Sequence, residues 1–287
     1  MPEELRYEVM TQRREGLTRD LPAGNDEWRW VANTSTLIWG ENDAVLVDTF
    51  ATIEQNAHLI EWIRSHGKNL TAVYLTHGHG DHAFGVGQLR AAFPAARILA
   101  TAGTLAALTI QTTPAWLDDF WGKLFPGQIP DVELPDVLET GRFELEGHEL
   151  RVIEAGETDT AGTTSLWVPD LGLVVAGDVV YNATHPYLAE TTPDIRLNWV
   201  AALGRLKALQ PRAVVSGHKQ PQNGDSPDDI EATVRYFHDV VQIAARTSDA
   251  LDFYRQLLAK QPSRANVGSA WSTAKLLKGA PATAPVD

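Results

Sequence analysis

Three of the nine histidines in the chain fall within six residues, in the run Thr76-His77-Gly78-His79-Gly80-Asp81-His82. In an extended loop, residues two apart point the same way, so His77 and His79 can grip one ion. Asp81 and His82 follow where the chain turns into a helix, and they can face a neighbouring ion. Gly78 and Gly80 permit tight backbone paths between them. Imidazole and carboxylate suit zinc, and also iron or manganese. A purely structural role is hard to justify, because each of these side chains would need its own buried partner. The chain has no cysteine, so disulfides, thiolate metal sites and cysteine nucleophiles are all excluded.

The elements around this run must position it. Thr71 to Thr76 is a short, mostly apolar and β-branched stretch, read as a buried strand that ends at His77. Thr36–Trp39 and Ala44–Asp48 read as two strands joined by Gly40-Glu41-Asn42-Asp43, and Ile53–Gly67 reads as a helix. A weak repeat of this pattern follows. Thr163–Val168 leads through Pro169-Asp170 to Leu173–Asp178, then to a helix over Leu197–Leu209 and a strand, Ala213–Ser216, that ends near His218. Each half is strand, strand, helix, strand, and each delivers a histidine. Two such halves predict an α/β fold in which two sheets pack face to face with helices outside, the site lying where both histidine loops emerge. Further strands are expected at Ala96–Ala100, Arg142–Leu145 and Glu149–Glu154, helices at Phe84–Ala92 and near Thr104, and a helical pattern over Pro227–Lys260. The segment 112–135 carries Trp116, Phe120, Trp121 and Phe125 among prolines and glycines, and reads either as a lid or as a core-packed insert. Residues 1–277 form one domain in this reading, and 278–287 form a disordered tail.

This pattern resembles the metallo-β-lactamase superfamily. The resemblance rests on His77-x-His79-x-Asp81-His82, on Asp48 at the end of an early strand, on Ala176-Gly177-Asp178 and on Ser216-Gly217-His218, in the family's order over Thr34–Lys219. It implies an αββα four-layer sandwich of two mixed β-sheets with helices on the outer faces, holding two divalent metals. By that pattern His77 and His79 bind the first ion, Asp81, His82 and His218 bind the second, Asp178 bridges them, and a hydroxide between the ions is the nucleophile. Zinc is the first expectation, with manganese or iron as alternatives. The chain departs from the family at the third ligand of the first ion, usually a histidine. Here Glu154-Ala155-Gly156-Glu157-Thr158-Asp159-Thr160 puts Glu157 in that place. Some relatives, such as alkylsulfatases, use glutamate as a ligand, so Glu157 is the expected ligand. Asp159 and the loss of one metal remain as alternatives. A carboxylate there would weaken Lewis acidity and favour harder ions. Asp48 is expected to orient a histidine ligand. Tyr181, His185 and Tyr187 follow Asp178 closely, and are read either as pocket residues able to donate to an oxyanion or as ordinary loop packing. Asp81, Asp178, Tyr181 and His185 are the candidate catalytic residues. His148 is expected at the surface.

The expected function is hydrolysis of an ester, lactone or amide-type bond in a small, apolar or cyclic substrate. The alternatives are a thioesterase of the glyoxalase II type, an iron-dependent oxidoreductase on the same fold, and a non-catalytic binding module. The formal net charge of −13 argues against nucleic acid as a partner. No stretch is long and apolar enough to span a bilayer, and Met1–Asp20 has no apolar core of a secretory signal. A cytoplasmic location is therefore expected, with a small-molecule substrate as partner and a homodimer left open.

Overall fold

The computed structural model describes residues 4–279. The first part runs β1 (Arg6–Glu15), β2 (Trp30–Trp39), β3 (Asp43–Val47), α1 (Ile53–Ser65) and β4 (Asn69–Tyr74). After the histidine run come α2 (Gly80–Ala83), α3 (Val86–Ala92), β5 (Arg97–Ala100) and α4 (Ala102–Gln111). The aromatic segment forms short helical turns, α5 (Pro114–Trp116) and α6 (Gly122–Leu124), with a π-helical turn between them, and then reaches β6 (Asp136–Val137). The second part runs β7 (Arg142–Leu145), β8 (His148–Gly156), β9 (Thr163–Val168), β10 (Leu173–Asn182), α7 (Pro193–Ala208) and β11 (Ala213–Lys219). Three helices follow, α8 (Asp228–Arg246), α9 (Ala250–Lys260) and α10 (Val267–Lys278).

The half-repeat is visible in the pairing. β2 pairs antiparallel with β3, and β3 parallel with β4. β9 pairs antiparallel with β10, and β10 parallel with β11. The halves meet where β11 touches β2, His218 opposite Asn33. The strands thus form one connected path, β6-β5-β4-β3-β2-β11-β10-β9-β8-β7, with β1 added on β2, and the two expected sheets are the two arms of that path.

Period-2 alternation builds four layers. Val45, Val47, Tyr74, Leu99, Leu166, Val175 and Val215 share one buried cluster drawn from both halves, the interior between the arms. Their strand neighbours Leu46, Val73 and Ile98 face a second cluster with Leu59, Ile63 and Leu89 from α1 and α3. Val174 and Val214 face a third with Trp199, Leu203, Phe237 and Leu257 from α7 to α9. This is the αββα sandwich.

The helical pattern over Pro227–Lys260 is divided between two helices: it breaks after Arg246 and restarts at Ala250, where Asp249 caps α9 by accepting from the Asp252 N–H. Lys278, expected in the tail, ends α10 and donates to the carbonyls of Ala244 and Thr247. The rest of the proposed tail, 280–287, lies outside the described residues.

Candidate metal centre

The histidine run is fixed by Asp48. This residue closes β3 in a left-handed conformation (φ 63°), which turns its carboxylate toward the end of β4. Oδ1 accepts from the Thr76 N–H and Oδ2 from the Thr76 hydroxyl, both at 2.8 Å. Oδ2 also lies 3.4 Å from His82 Nδ1. β9 grips the same turn, with the Thr164 N–H and hydroxyl both reaching Thr76 O at 2.8 Å. Gly78 and Gly80 are needed for space rather than for unusual dihedrals. A Cβ on Gly78 would stand 2.5 Å from the Leu108 nitrogen, and one on Gly80 would stand 2.3 Å from the Phe84 ring.

Among the described residues three buried groups of candidate donors have their donor atoms within 4.8 Å of one another: His77, His79, Asp159 and Asp178; Asp81, His82 and His218; and Asp48 with His77 and His82. The first two are the donor sets of the centre, because Asp48 already accepts from the Thr76 N–H and hydroxyl. In the first, Asp159 Oδ2 lies 3.6 Å from His77 Nε2 and 3.0 Å from His79 Nδ1. Asp178 joins the sets: Oδ2 lies 4.0 Å from His77 Nε2 and 3.0 Å from His218 Nε2, and Oδ1 lies 3.3 Å from His82 Nε2. His218 Nδ1 is 3.1 Å from the Ala32 carbonyl, which requires a proton on Nδ1 and leaves Nε2 free to bind an ion.

Glu157 requires a correction. A bulge between Glu154 and Gly156 shifts the register of β8 against β9, and Gly156 then turns with φ 81°. The chain leaves β8 with Glu157 exposed and Thr158 and Asp159 buried. The Thr158 and Thr163 hydroxyls donate to Asp159 Oδ1 at 2.8 and 3.3 Å, and so aim Oδ2 at the two histidines. Glu157 engages Asn198 only through its backbone carbonyl, at 2.7 Å. Asp159 therefore stands where Glu157 was expected.

Of the two readings of Tyr181 and His185, packing fits their placement and the catalytic candidacy does not, because neither lines the cavity. Tyr181 is fully buried, and its hydroxyl donates to Asp178 Oδ2 at 2.8 Å, so it orients a carboxylate and does not face the cavity. His185 is buried in the core against Tyr236, with Nδ1 3.0 Å from that hydroxyl, and burial holds its pKa well below the usual imidazole value. Tyr187 does reach the cavity and lies edge-on to His79, with ring centroids 5.8 Å apart. His148 is buried rather than at the surface, with Nδ1 2.5 Å from Asp170 Oδ2.

Three polar residues at the site carried no sequence signal: Arg14 on β1, Asn33 on β2 and Glu190. Arg14 Nη2 is 2.5 Å from Asp81 Oδ2, the Asn33 amide donates to that same oxygen at 2.9 Å, and Glu190 Oε1 is 3.2 Å from His79 Nε2. Arg14 sits on a polar strand and Asn33 on a largely buried one, and only the fold brings them to Asp81.

The electrostatics suit a cation. Burial favours the neutral form of every group here, but the pairings outweigh it for most of them. Burial lowers the His79 and His82 pKa values, yet the carboxylates of Asp159 and Glu190 for one, and of Asp178, Asp48 and Asp81 for the other, raise both well above the usual value. Burial raises Asp178, but His218, His82 and His77 pull it well below the usual carboxylate range. Burial dominates for His77, whose pKa falls. Among the buried atoms that find no hydrogen-bond partner are His77 Nε2, His82 Nδ1, Asp159 Oδ2 and Asp178 Oδ1, together with Arg14 Nε and Asn33 Oδ1. The first four sit on residues of the donor sets, and ligation by divalent ions would satisfy His77 Nε2, Asp159 Oδ2 and Asp178 Oδ1. The residues present fit a pair of such ions.

The donors open into a cavity of about 310 Å³, walled by Trp116, Phe120, Trp121 and Tyr187 and by α10. Trp121 also belongs to the core: it is 3% exposed, and its indole N–H donates to Gln111 Oε1 at 2.9 Å. The aromatic segment is thus both cavity wall and core. Among the described residues no helix is long and apolar enough to cross a membrane.

Solved structures share this architecture. A metallo-beta-lactamase family protein from Thermus thermophilus matches with a TM-score of 0.65 at 20% identity, over 94% of this chain and 92% of that one. A metallo-beta-lactamase from Pontibacter korlensis matches with a TM-score of 0.59 at 18% identity, over 80% of this chain and 98% of that one. In sequence, a hydroxyacylglutathione hydrolase from Tolumonas auensis is 35% identical over 74 residues, 26% of this chain. The match spans about a quarter (25%) of that relative's length. The family model of the metallo-beta-lactamase superfamily matches residues 28–218. That span holds both half-repeats and every donor from His77 to His218, and the chain belongs to the metallo-beta-lactamase superfamily.

Proposed function

We propose that this chain is a metal-dependent hydrolase acting on an ester, lactone or amide-type bond in a small substrate with an apolar or cyclic portion. Its first ion would be held by His77, His79 and Asp159, its second by Asp81, His82 and His218, with Asp178 between them. The observation that carries the reading is the pair of buried donor sets sharing Asp178 at the floor of an aromatic-walled cavity. When bound, two divalent ions, zinc first among them, supply Lewis acidity and a water of lowered pKa.

The chain's own residues supply the rest. Trp116 and Phe120 offer an apolar wall to the substrate. Tyr181 holds one oxygen of Asp178 and so fixes the carboxylate's orientation. Tyr187 faces the cavity and remains a protonated donor at neutral pH, because burial and the nearby carboxylates raise its pKa. A hydrogen bond from it to a developing oxyanion fits this placement. Asp159 puts a third carboxylate in the centre, beside Asp81 and Asp178, where the family has an imidazole. That extra negative charge tempers the acidity of the bound water and favours harder ions.

The similarity to a hydroxyacylglutathione hydrolase favours a second reading, hydrolysis of a thioester. A panel of aryl esters, lactones, β-lactams and acyl thioesters separates the two. On whichever is cleaved, Asp178→Asn should retain the fold, lose at least one ion by plasma mass spectrometry, and lose more than about 100-fold in kcat/KM. Full metal content with full turnover in Asp178→Asn overturns the proposal.

A further inference from the structure

The two donor sets are unequal in their surroundings. Asp159 of the first set is held by the neutral hydroxyls of Thr158 and Thr163. Asp81 of the second is held by a full positive charge. Arg14 Nη2 and the Asn33 amide both converge on Asp81 Oδ2, and that oxygen lies 3.9 Å from His218 Nε2 across the second set. The pair is almost sealed from water, with side-chain exposures of 7% for Arg14 and 10% for Asp81. Little else holds the guanidinium. Nε has no hydrogen-bond partner, Nη1 donates to the neighbouring Glu15 carbonyl, and the Phe125 ring lies 5.8 Å away. Arg14 lies on β1, outside the matched family span, which begins at residue 28.

We propose that Arg14 is an internal cation that competes with the second metal ion for Asp81, so that the second site is the weaker one and the chain fills in steps, the His77–His79–Asp159 site first. The proposal rests on the two-metal reading given above. An ion entering beside Asp81 must share or displace the guanidinium, and in a site screened from water the repulsion between them is only weakly damped. With one ion bound, Arg14 supplies the charge that neutralises Asp81. Arg14 is therefore a positioning residue.

The test is a titration of chelator-stripped protein with zinc alone, followed by calorimetry and by competition with a chromophoric chelator. Wild type should show two steps, the second weaker. Arg14→Gln keeps a donor for Asp81 and removes the charge. Its second step should tighten at least about tenfold, or about 1.4 kcal/mol, with the first step unchanged. Arg14→Lys keeps the charge and should stay near wild type. Without zinc, Arg14→Gln should melt below wild type, because Asp81 is left as a buried charge without its cation, and zinc should raise its melting temperature by more than it raises that of wild type. An unchanged or weakened second step in Arg14→Gln, equal tightening in Arg14→Lys, or a single ion in every form overturns the role of Arg14. Wild type that binds no zinc at all overturns the metal reading itself.

Discussion

Asp159 stands in the first donor set where the sequence pointed to Glu157, and two threonine hydroxyls set its direction. Each donates to Oδ1, which leaves Oδ2 as a buried acceptor facing His77 and His79. A carboxylate so placed also changes how the site handles protons. In the metal-free protein, Asp159 and Asp178 help to raise His79 and His82 above the ordinary imidazole pKa. The stability these charged pairs contribute is fully present below the unfolded value of about 6.5, and is lost as pH rises through the higher folded values. An ion must displace those protons, because only neutral imidazole is a ligand. Zinc binding near pH 7 should therefore release roughly one or two protons per chain, and fewer as pH rises. Calorimetry in buffers of different ionisation enthalpy measures this. A heat that does not depend on the buffer would mean that His79 and His82 are already neutral.

At the scale of elements, the aromatic segment 112–135 divides its side chains between two tasks. Trp121 is wedged edge-on against Phe84 and Phe120, with ring centroids 5.3 Å apart in each case, while Trp116 and Phe120 stay half-exposed on the cavity wall. Trp121→Ala should cost about 3–5 kcal/mol of stability. Trp116→Ala should cost less, about 1–2 kcal/mol, because the half-exposed Trp116 ring packs only partly against the core and edge-on to Phe120. On an apolar substrate it should raise KM with little change in kcat. Thermal melts and steady-state kinetics on both variants check this division, and a similar loss of stability in both would contradict it. The elements nearest the histidine loops were the legible ones. β3, β4, β10 and β11 are short apolar runs, and their half-repeat predicts both the sandwich and the meeting of His77 with His218. β1 was not legible, because Arg6–Glu15 alternates charged and mixed residues and owes its strand to ten-residue pairing with β2. Arg14 was hidden with it. The choice of Asp159 over Glu157 was equally hidden: both carboxylates suit a metal, and only the bulge before Gly156 decides which one turns inward.

At the scale of the molecule, the centre is a seam between two halves. The first contributes His77, His79, Asp81 and His82, the second Asp159, Asp178 and His218, and the strands themselves meet at a single pair, His218 opposite Asn33. Each of the two donor sets that meet at Asp178 draws on both halves, so ions bound there would tie the halves together and couple metal occupancy to folding. The central claim is that this seam is a two-ion centre in which Asp159 takes the family histidine's place. The most direct measurement is a crystal structure of protein purified without chelators, with anomalous scattering collected at the zinc, iron and manganese edges. Two anomalous peaks per chain are predicted, one on each side of Asp178, the first within about 2.0–2.2 Å of an Asp159 carboxylate oxygen and with Glu157 facing solvent. No peak under metal-replete expression, or a first ion bound by Glu157 with Asp159 turned away, would contradict the account.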